Sequence, residues 1–322
     1  MKMTTWPAIC GALFMLGAQA MAADAFPSKP IRIVVNQAPG ALLDTTTRLV
    51  AQKMAETLGQ PVIVENRTGA DGLLGIRYVK GAAADGYTIL ACSSTLAQAP
   101  ALKLDPGYDL ARDFTGVGPM NQAPLIMVGA PAQADKSLAE FIAHAKAKPE
   151  AMSFASGGVG TSTWMSAALF LHQAGIKLLH IPYKGSGAAM PDVIAGRVNI
   201  MFDAGSSAIP HVREGRLRAF GVSSTSRVGA FPEIPTLAEQ GVPGYAYSVY
   251  LGLVAPAGTP KDVLLKLSTA LRAATSSEAV RERFLQQGSE PFTLSPDEFT
   301  AFMKKDAQRV EKLVSDLGIA KQ

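Results

Sequence analysis

The 322-residue chain is 48% hydrophobic and 17% charged, which excludes a disordered or low-complexity protein and gives enough length for two cores. Thirty basic against 26 acidic residues leave a formal charge of +4, with no run of Lys or Arg and no interleaved aromatics. That balance excludes nucleic acid as a partner.

The chain starts with Lys2, an apolar stretch over residues 9–16 and the A-x-A pattern Ala20-Met21-Ala22. These read as a secretory signal over residues 1–23, too short to span a bilayer with ease. Cys10 follows Ile9 and so lacks the small residue expected just before a lipidated cysteine; cleavage after Ala23 is therefore expected, with a soluble mature protein outside the cytoplasm. Cleavage leaves 29 basic against 26 acidic residues, or +3, and one cysteine, Cys92, so no internal disulfide is possible. At the end of the apolar run 88–91, Cys92 reads as a small buried hydrophobe.

Residues 31–35 form an apolar, β-branched run bounded by Pro30 and Pro39, the pattern of a strand buried on both faces. Asp44 follows the turn as an N-cap, and Leu49, Val50, Met54 and Leu58 recur at helical spacing until Gly59. A strand at 61–65, a helix near 75–83 and a strand at 87–92 continue the alternation, which predicts parallel βαβ units. A second series follows. Its strands fall at 125–128, 152–155, 178–181, 199–202 and 218–223; Ser137 and Glu140 form a capping box that opens a helix to about Lys148, and further helices span 164–174 and 190–195. In the C-terminal third, Thr275 with Glu278 and Ser295 with Glu298 suggest two more capping boxes, with Pro296 at the first helical position of the second. The last helix carries Phe299, Phe302, Met303, Val310, Leu313 and Val314 on one stripe and stops at Gly318; its spacing leaves open which domain receives it.

Two strand-loop-helix segments share one plan, "VVNQAPGALLDTTTRLVAQKM" from Val34 and "MSFASGGVGTSTWMSAALFLHQAG" from Met152. A helix start presents backbone N–H groups without internal partners and about half a positive charge, so it attracts anions. Gly40 in the first loop, and Gly157, Gly158 and Gly160 in the second, let a ligand oxygen approach the backbone, while Ser156, Thr161, Ser162 and Thr163 add hydroxyls. Neither loop holds a lysine or arginine ahead of its helix, so an anion there is bound by neutral donors. Either loop alone is better explained by a strand that must turn; the pair, facing each other across two α/β domains, suggests a clamp for a carboxylate. The glycine pattern fails the dinucleotide fingerprint and no P-loop lysine follows, so neither a nucleotide nor any other cofactor is expected. The four histidines, His144, His172, His180 and His211, lack the close spacings of zinc sites, and no Gly-x-Ser-x-Gly elbow occurs. For Asp44 and Asp203, at strand ends or helix starts, a capping role and a ligand contact both stand open. Trp164 reads equally as core or as an aromatic cleft wall, with Leu42 and Leu43 opposite.

The strings "FPSKPIRIVV", "LGQPVIVENRTGADG", "AADGYTIL", "DLARDFTGVG", "SFASGGVGTST", "HIPYKGSGAAMPDVIAGRVNIMFD", "PEIPTLAEQGVPGY" and "GLVAPAGTP", in this order, cover nearly the whole mature chain. Through them the chain resembles the Bug-type substrate-binding receptors of tripartite tricarboxylate transporters. The resemblance implies the class II periplasmic binding protein fold, α/β with two lobes, mainly parallel sheets and a hinge. Lobe 1 would comprise residues 24–123 plus 225–322, and lobe 2 residues 124–224. It implies a periplasmic protein, not an enzyme, that captures a small carboxylate and delivers it to the transporter's membrane subunits. A sensor receptor for a signalling partner and a secreted α/β enzyme are the alternative readings. By the same resemblance the ligand is gripped by the first loop, Asn36, Gln37, Gly40, Ala41, Leu42, Leu43 and Asp44, and by the second, Ser156, Gly158, Val159, Gly160, Thr161, Ser162, Thr163 and Trp164. Ser93 and Ser94, after the third strand, add contacts. Two departures stand out: Ala41, Leu42 and Leu43 replace a glycine-rich stretch, and Trp164 stands where a histidine is frequent. Both add apolar bulk, which points to an aromatic or longer aliphatic carboxylate, dicarboxylates included.

Overall fold

The computed structural model describes residues 26–149 and 151–321. The signal expected at residues 1–23, with Lys2, Cys10 and the Ala20-Met21-Ala22 pattern, lies outside the described residues. Strand β1 (Ile31–Val35) is the apolar run read from the sequence, and it pairs in parallel with β2 (Val62–Asn66) and β3 (Thr88–Ser93). Between them run α1 (Leu42–Leu58), closed by Gly59 in the left-handed conformation, and α2 (Leu73–Lys80). After β3 come α3 (Thr95–Leu102) and a short α4 (Leu110–Asp113).

The chain then enters β4 (Phe114–Gly129), whose 16 residues belong to both halves of the molecule. As far as Pro124 it pairs antiparallel with β9 (Ser248–Pro256), which in turn pairs antiparallel with β3. From Leu125 it pairs antiparallel with β7 (Ile200–Ala204) and β8 (Arg218–Val222). The second half holds α5 (Leu138–Ala147), β5 (Ser153–Ser156), α6 (Ser162–Ala174), β6 (Leu179–Pro182), α7 (Ser186–Ile194) and α8 (Gly205–Arg213). Its strands β6, β5 and β7 are parallel neighbours. The C-terminal part adds α9 (Lys261–Ser276), α10 (Glu278–Gln286), β10 (Glu290–Pro291) on β4, and α11 (Pro296–Asp316). The fold is α/β as expected, with a mixed sheet: parallel βαβ units at the two ends, and antiparallel strands where the halves join.

Helices cover both faces of each half. In the first, Ile33, Val50, Met54 and Leu267 pack on one face and Leu73, Ile76, Leu90 and Phe299 on the other. In the second, Met127, Phe141, Phe170 and Phe202 form one core, and Ile126, Val193, Met201 and Val222 another. Val228, Phe231, Ile234, Leu237, Val242 and Tyr245 also pack in these second-half cores, although the sequence places residues 225–322 in the first lobe. Their apolar side chains lie beyond the last strand of the second sheet, so they cover it before the chain returns along β9. Helix α11 serves both halves: Phe299 and Met303 join the first, Val310, Leu313 and Val314 the second.

The three capping signals differ in how far the helices use them. Ser295 and Glu298 form the expected reciprocal capping box, with Pro296 at the helix start. Ser137 caps α5 through Glu140 N–H, but the Glu140 carboxylate reaches Lys136 N–H instead of Ser137, so that box is half made. Thr275 sits in the last turn of α9, its hydroxyl donating to Arg272 O, and α10 starts at Ser277 without a side-chain cap. The apolar face of α9 extends through Ala274, and that continuity overrides the Thr-x-x-Glu signal.

Candidate functional site

The first loop runs from the end of β1 into α1, whose N-cap is Ala41, with no side chain closing the helix start. Asp44, read as the N-cap, occupies the third helical position and reaches back. Its Oδ2 accepts Gly40 N–H at 2.9 Å and Arg48 Nε at 3.2 Å, and its Oδ1 accepts Asn66 Nδ2 at 2.8 Å. The Asn66 amide also donates to Gln37 O, so β2 pins both ends of the loop. Burial opposes the charge on Asp44, but the hydrogen bonds from Arg48, Gly40 and Asn66 outweigh it and hold the carboxyl below its usual value. This carboxylate is a brace for the loop.

The second loop runs from β5 into α6. Thr161 is the N-cap: its hydroxyl accepts Trp164 N–H at 3.3 Å and donates to Gly158 O at 2.7 Å. Two amides that the sequence offers to a ligand are already occupied, Gly157 N–H by Thr163 Oγ1 and Gly158 N–H by Ser156 Oγ. Ser156 is fully buried, and its oxygen also lies 2.7 Å from Nε2 of His180. The His180 ring stacks on Phe154 and burial lowers its pKa, which favours the neutral form. A serine beside a histidine invites a catalytic reading, yet this oxygen is enclosed and held by a loop amide, so the pair stiffens the loop.

Both loops meet at one cavity of about 700 Å³ between the halves. Asn36, Gln37 and Ala41 reach it from the first loop, and Val159, Gly160 and Thr161 from the second. The N-cap residues of α1 and α6 thus share one space. The remaining wall was not anticipated: Thr68, Gly69 and Gly72 between β2 and α2, Leu73 and Ile76 of α2, Thr95, Gln98, Ala99 and Leu102 of α3, then Lys103, and Ala320 beyond α11. Gly72 is required there. It has φ +88°, and a Cβ would come within 2.7 Å of Asn36 Nδ2 and 2.9 Å of Asn36 O.

The other predicted site residues lie elsewhere. Leu43 is buried in the first core, Leu42 is exposed, and neither lines the cavity. Trp164 is buried in the second core, on the wall of a separate cavity with Phe154, Leu171 and Leu178. It sits one turn into α6, where the helix face carrying it turns to Phe154, so it gives the cleft no aromatic wall. Asp203 is buried in β7 opposite Ile126 and accepts a hydrogen bond from Ser207 Oγ. Ser93 bonds Thr95 through its hydroxyl, and Ser94 is buried before α3. Gly40 and Thr163 are bonded within the loops, and neither they nor Ser162 line the cavity. Cys92 is buried, donates to Gly252 O, and its thiol pKa is pushed up to about 12 by burial, so it is inert as a nucleophile. No helix among the described residues is long and apolar enough to cross a membrane.

Comparison with known proteins gives one consistent answer. The chain is 34% identical over 322 residues to the protein BugT of Bordetella pertussis (strain Tohama I), covering 99% of each. Among solved structures, R. palustris Rpa4515 with adipate matches with a TM-score of 0.75 and 29% identity, over 92% of this chain and 100% of that one. MatC from Rhodopseudomonas palustris with bound malate matches with a TM-score of 0.71 and 30% identity, over 90% and 100%. Residues 46–319 match the sequence profile described as "Tripartite tricarboxylate transporter family receptor". With two α/β halves, paired helix starts at one cleft and this match over most of its length, the chain belongs to the tripartite tricarboxylate transporter receptor family, the family of Bug-type periplasmic solute-binding proteins.

Proposed function

We propose that the protein is a periplasmic receptor, exported through a cleaved signal at residues 1–23, that captures a small carboxylate between its halves and delivers it to the membrane subunits of a tripartite transporter. One observation carries the reading: Ala41 and Thr161, the N-caps of α1 and α6, line the same cavity. Two helix starts on opposite sides of a gap direct unpaired N–H groups and partial positive charge at one place, which a carboxylate can fill from both sides. The bound anion then favours the arrangement in which both starts reach it, and the halves close. The adipate and malate named for two solved relatives are both carboxylates, in keeping with this chemistry. The apolar Leu73, Ile76, Leu102 and Val159 suit a carbon skeleton beyond the headgroup.

A thermal-shift screen of aliphatic, aromatic and amino-acid carboxylates tests the proposal. A ligand at 100 times its Kd stabilises by about 2.7 kcal/mol. Carboxylates should raise the melting temperature and their amides should not. A protein indifferent to every carboxylate, or shifted equally by the matched amides, refutes it.

A further inference from the structure

A second cavity, of about 520 Å³, lies beside the strands that join the halves and takes no part in the reading of the cleft. Three crossings border it: Gln122 and Pro124 of β4, Ser224 to Ser226 after β8, and the approach to β9 from Ala246. Ser223 stitches these crossings together, its hydroxyl accepting Leu125 N–H at 2.8 Å and donating to Tyr247 O at 2.6 Å. Helix α11 and Glu290 of β10 close the remaining sides. The walls carry two acids, Glu290 and Asp306, and two bases, Lys305 and Arg309, and only one acid and one base are matched. Arg309 is committed, donating to Asp306 Oδ1 at 2.6 Å and to Ala246 O at 2.8 Å. Asp306 keeps acceptor capacity. It is only 6% exposed, and its Oδ2 has just Tyr250 OH at 3.4 Å, longer than the roughly 2.5–3.0 Å of a good O–H···O bond. Glu290 accepts Gly229 N–H at 3.2 Å, and among the described residues it has no cation in ion-pair reach, nor has Lys305 an acid. The apolar surface is aromatic: Tyr250 and Phe302 meet edge to face at 5.0 Å, and Tyr247 lies on the same cavity. A guest with a single charge meets like charges here as well as opposite ones, whereas a guest with both can satisfy both kinds.

We propose that this cavity is a second ligand site, separate from the cleft, for a small zwitterion with an aromatic side chain. Its ammonium group lies toward the carboxylates of Asp306 and Glu290, its carboxylate meets Lys305, and its ring packs on Tyr250 and Phe302. The proposal goes beyond the receptor reading and does not depend on what fills the cleft.

Calorimetric titration of phenylalanine and phenylalaninamide tests this on wild type, Glu290→Gln and Lys305→Met, at about pH 6, where both amines are protonated. Glutamine keeps an acceptor for Gly229 N–H and Lys305 is exposed, so both variants should fold. The amide keeps the ammonium group and the ring but lacks the carboxylate. Phenylalanine should therefore bind wild type about tenfold tighter than the amide, or more. Lys305→Met should remove that difference, weakening phenylalanine about tenfold and leaving the amide unchanged within about twofold. Glu290→Gln should weaken both ligands, each by about fivefold to tenfold. Phenylalanine that binds all three proteins alike sits elsewhere and overturns the proposal. Equal losses of phenylalanine and amide in Lys305→Met overturn it too, as does a wild type that binds no phenylalanine. None of these results touches the receptor reading, which the carboxylate screen on the wild type judges separately.

Discussion

Asp44→Asn distinguishes a loop brace from a ligand contact. In the native loop one carboxylate oxygen accepts Gly40 N–H at 2.9 Å and Arg48 Nε at 3.2 Å, and the other accepts Asn66 Nδ2 at 2.8 Å and is ion-paired with Arg48 Nη2 at 3.0 Å. Asparagine offers one acceptor and one NH2 group, so two of the four donors must face a donor. The share from Arg48 is small, because its side chain is half exposed and such ion pairs contribute about 0–1 kcal/mol. The bond from Gly40 or Asn66 to the buried carboxylate counts for more, about 1.5–3 kcal/mol for a hydrogen bond to a charged group. The expected loss of stability is about 2–4 kcal/mol. Urea unfolding of the ligand-free protein measures it, and calorimetric titration with a carboxylate that binds the wild type measures the effect on affinity. Affinity should fall by less, about threefold to tenfold, because the loop is loosened and not deleted. Unchanged stability with a large loss of affinity would mean that Asp44 touches the ligand, and the bracing role would be wrong. The wild-type carboxyl is held below its unfolded value of about 3.9, so its contribution is complete above that pH and is lost as pH falls through the lower native value. The variant should lack that part of the acid transition.

Trp164→Ala should destabilise by about 3–5 kcal/mol in urea unfolding, as for other large aromatic truncations in a core, with carboxylate affinities unchanged. A selective loss of bulky ligands would put the indole in the cleft after all. Gly72→Ala forces a side chain into a left-handed backbone and against the Asn36 backbone; it should lower the melting temperature and also weaken carboxylate binding, since Asn36 lines the cavity. Retention of both properties would show that the wall between β2 and α2 is not tightly fitted. The native pKa of His180 lies below the unfolded value of about 6.5, so the stability it contributes is complete above that pH and is lost progressively as pH falls below it. Urea midpoints at a series of pH values should show this loss in the wild type and a flatter profile in His180→Gln; identical profiles would remove the assignment.

What the sequence reveals depends on whether a feature is local. Strand β1 and helix α1 are legible because an apolar run, a Pro-Gly turn, a helical stripe and Gly59 all agree within one stretch. Strand β4 is legible only from Leu125 onward, because Gly116, Gly118, Pro119 and Pro124 break its first part, and its pairing with β9 is set by residues far along the chain. Helix α3 is hidden by Pro100 in its last turn, yet it supplies Gln98 and Leu102 to the cleft and leads into Lys103. Both loops are legible in the sequence, but which of their residues face the cavity is not, since the inward edge depends on which amides neighbouring hydroxyls occupy. Thr163 and Ser156 occupy two of them and leave Val159 to Thr161 on the cavity side. The direction of Trp164 is settled by Phe154, from another strand, and no spacing within α6 announces it. The wall from Thr68 to Gly72 did carry a signal: two glycines between a strand and a helix, both with positive φ, as at other close approaches of backbone.

Helix α11 has a further consequence for how the molecule comes apart. Its first turns complete one core and its last turns another, while β4 runs unbroken through both sheets. Neither half can melt without stripping a partner from the other, so denaturation should proceed as a single cooperative event, and a fragment ending before Pro296 should leave greasy scars on two surfaces at once.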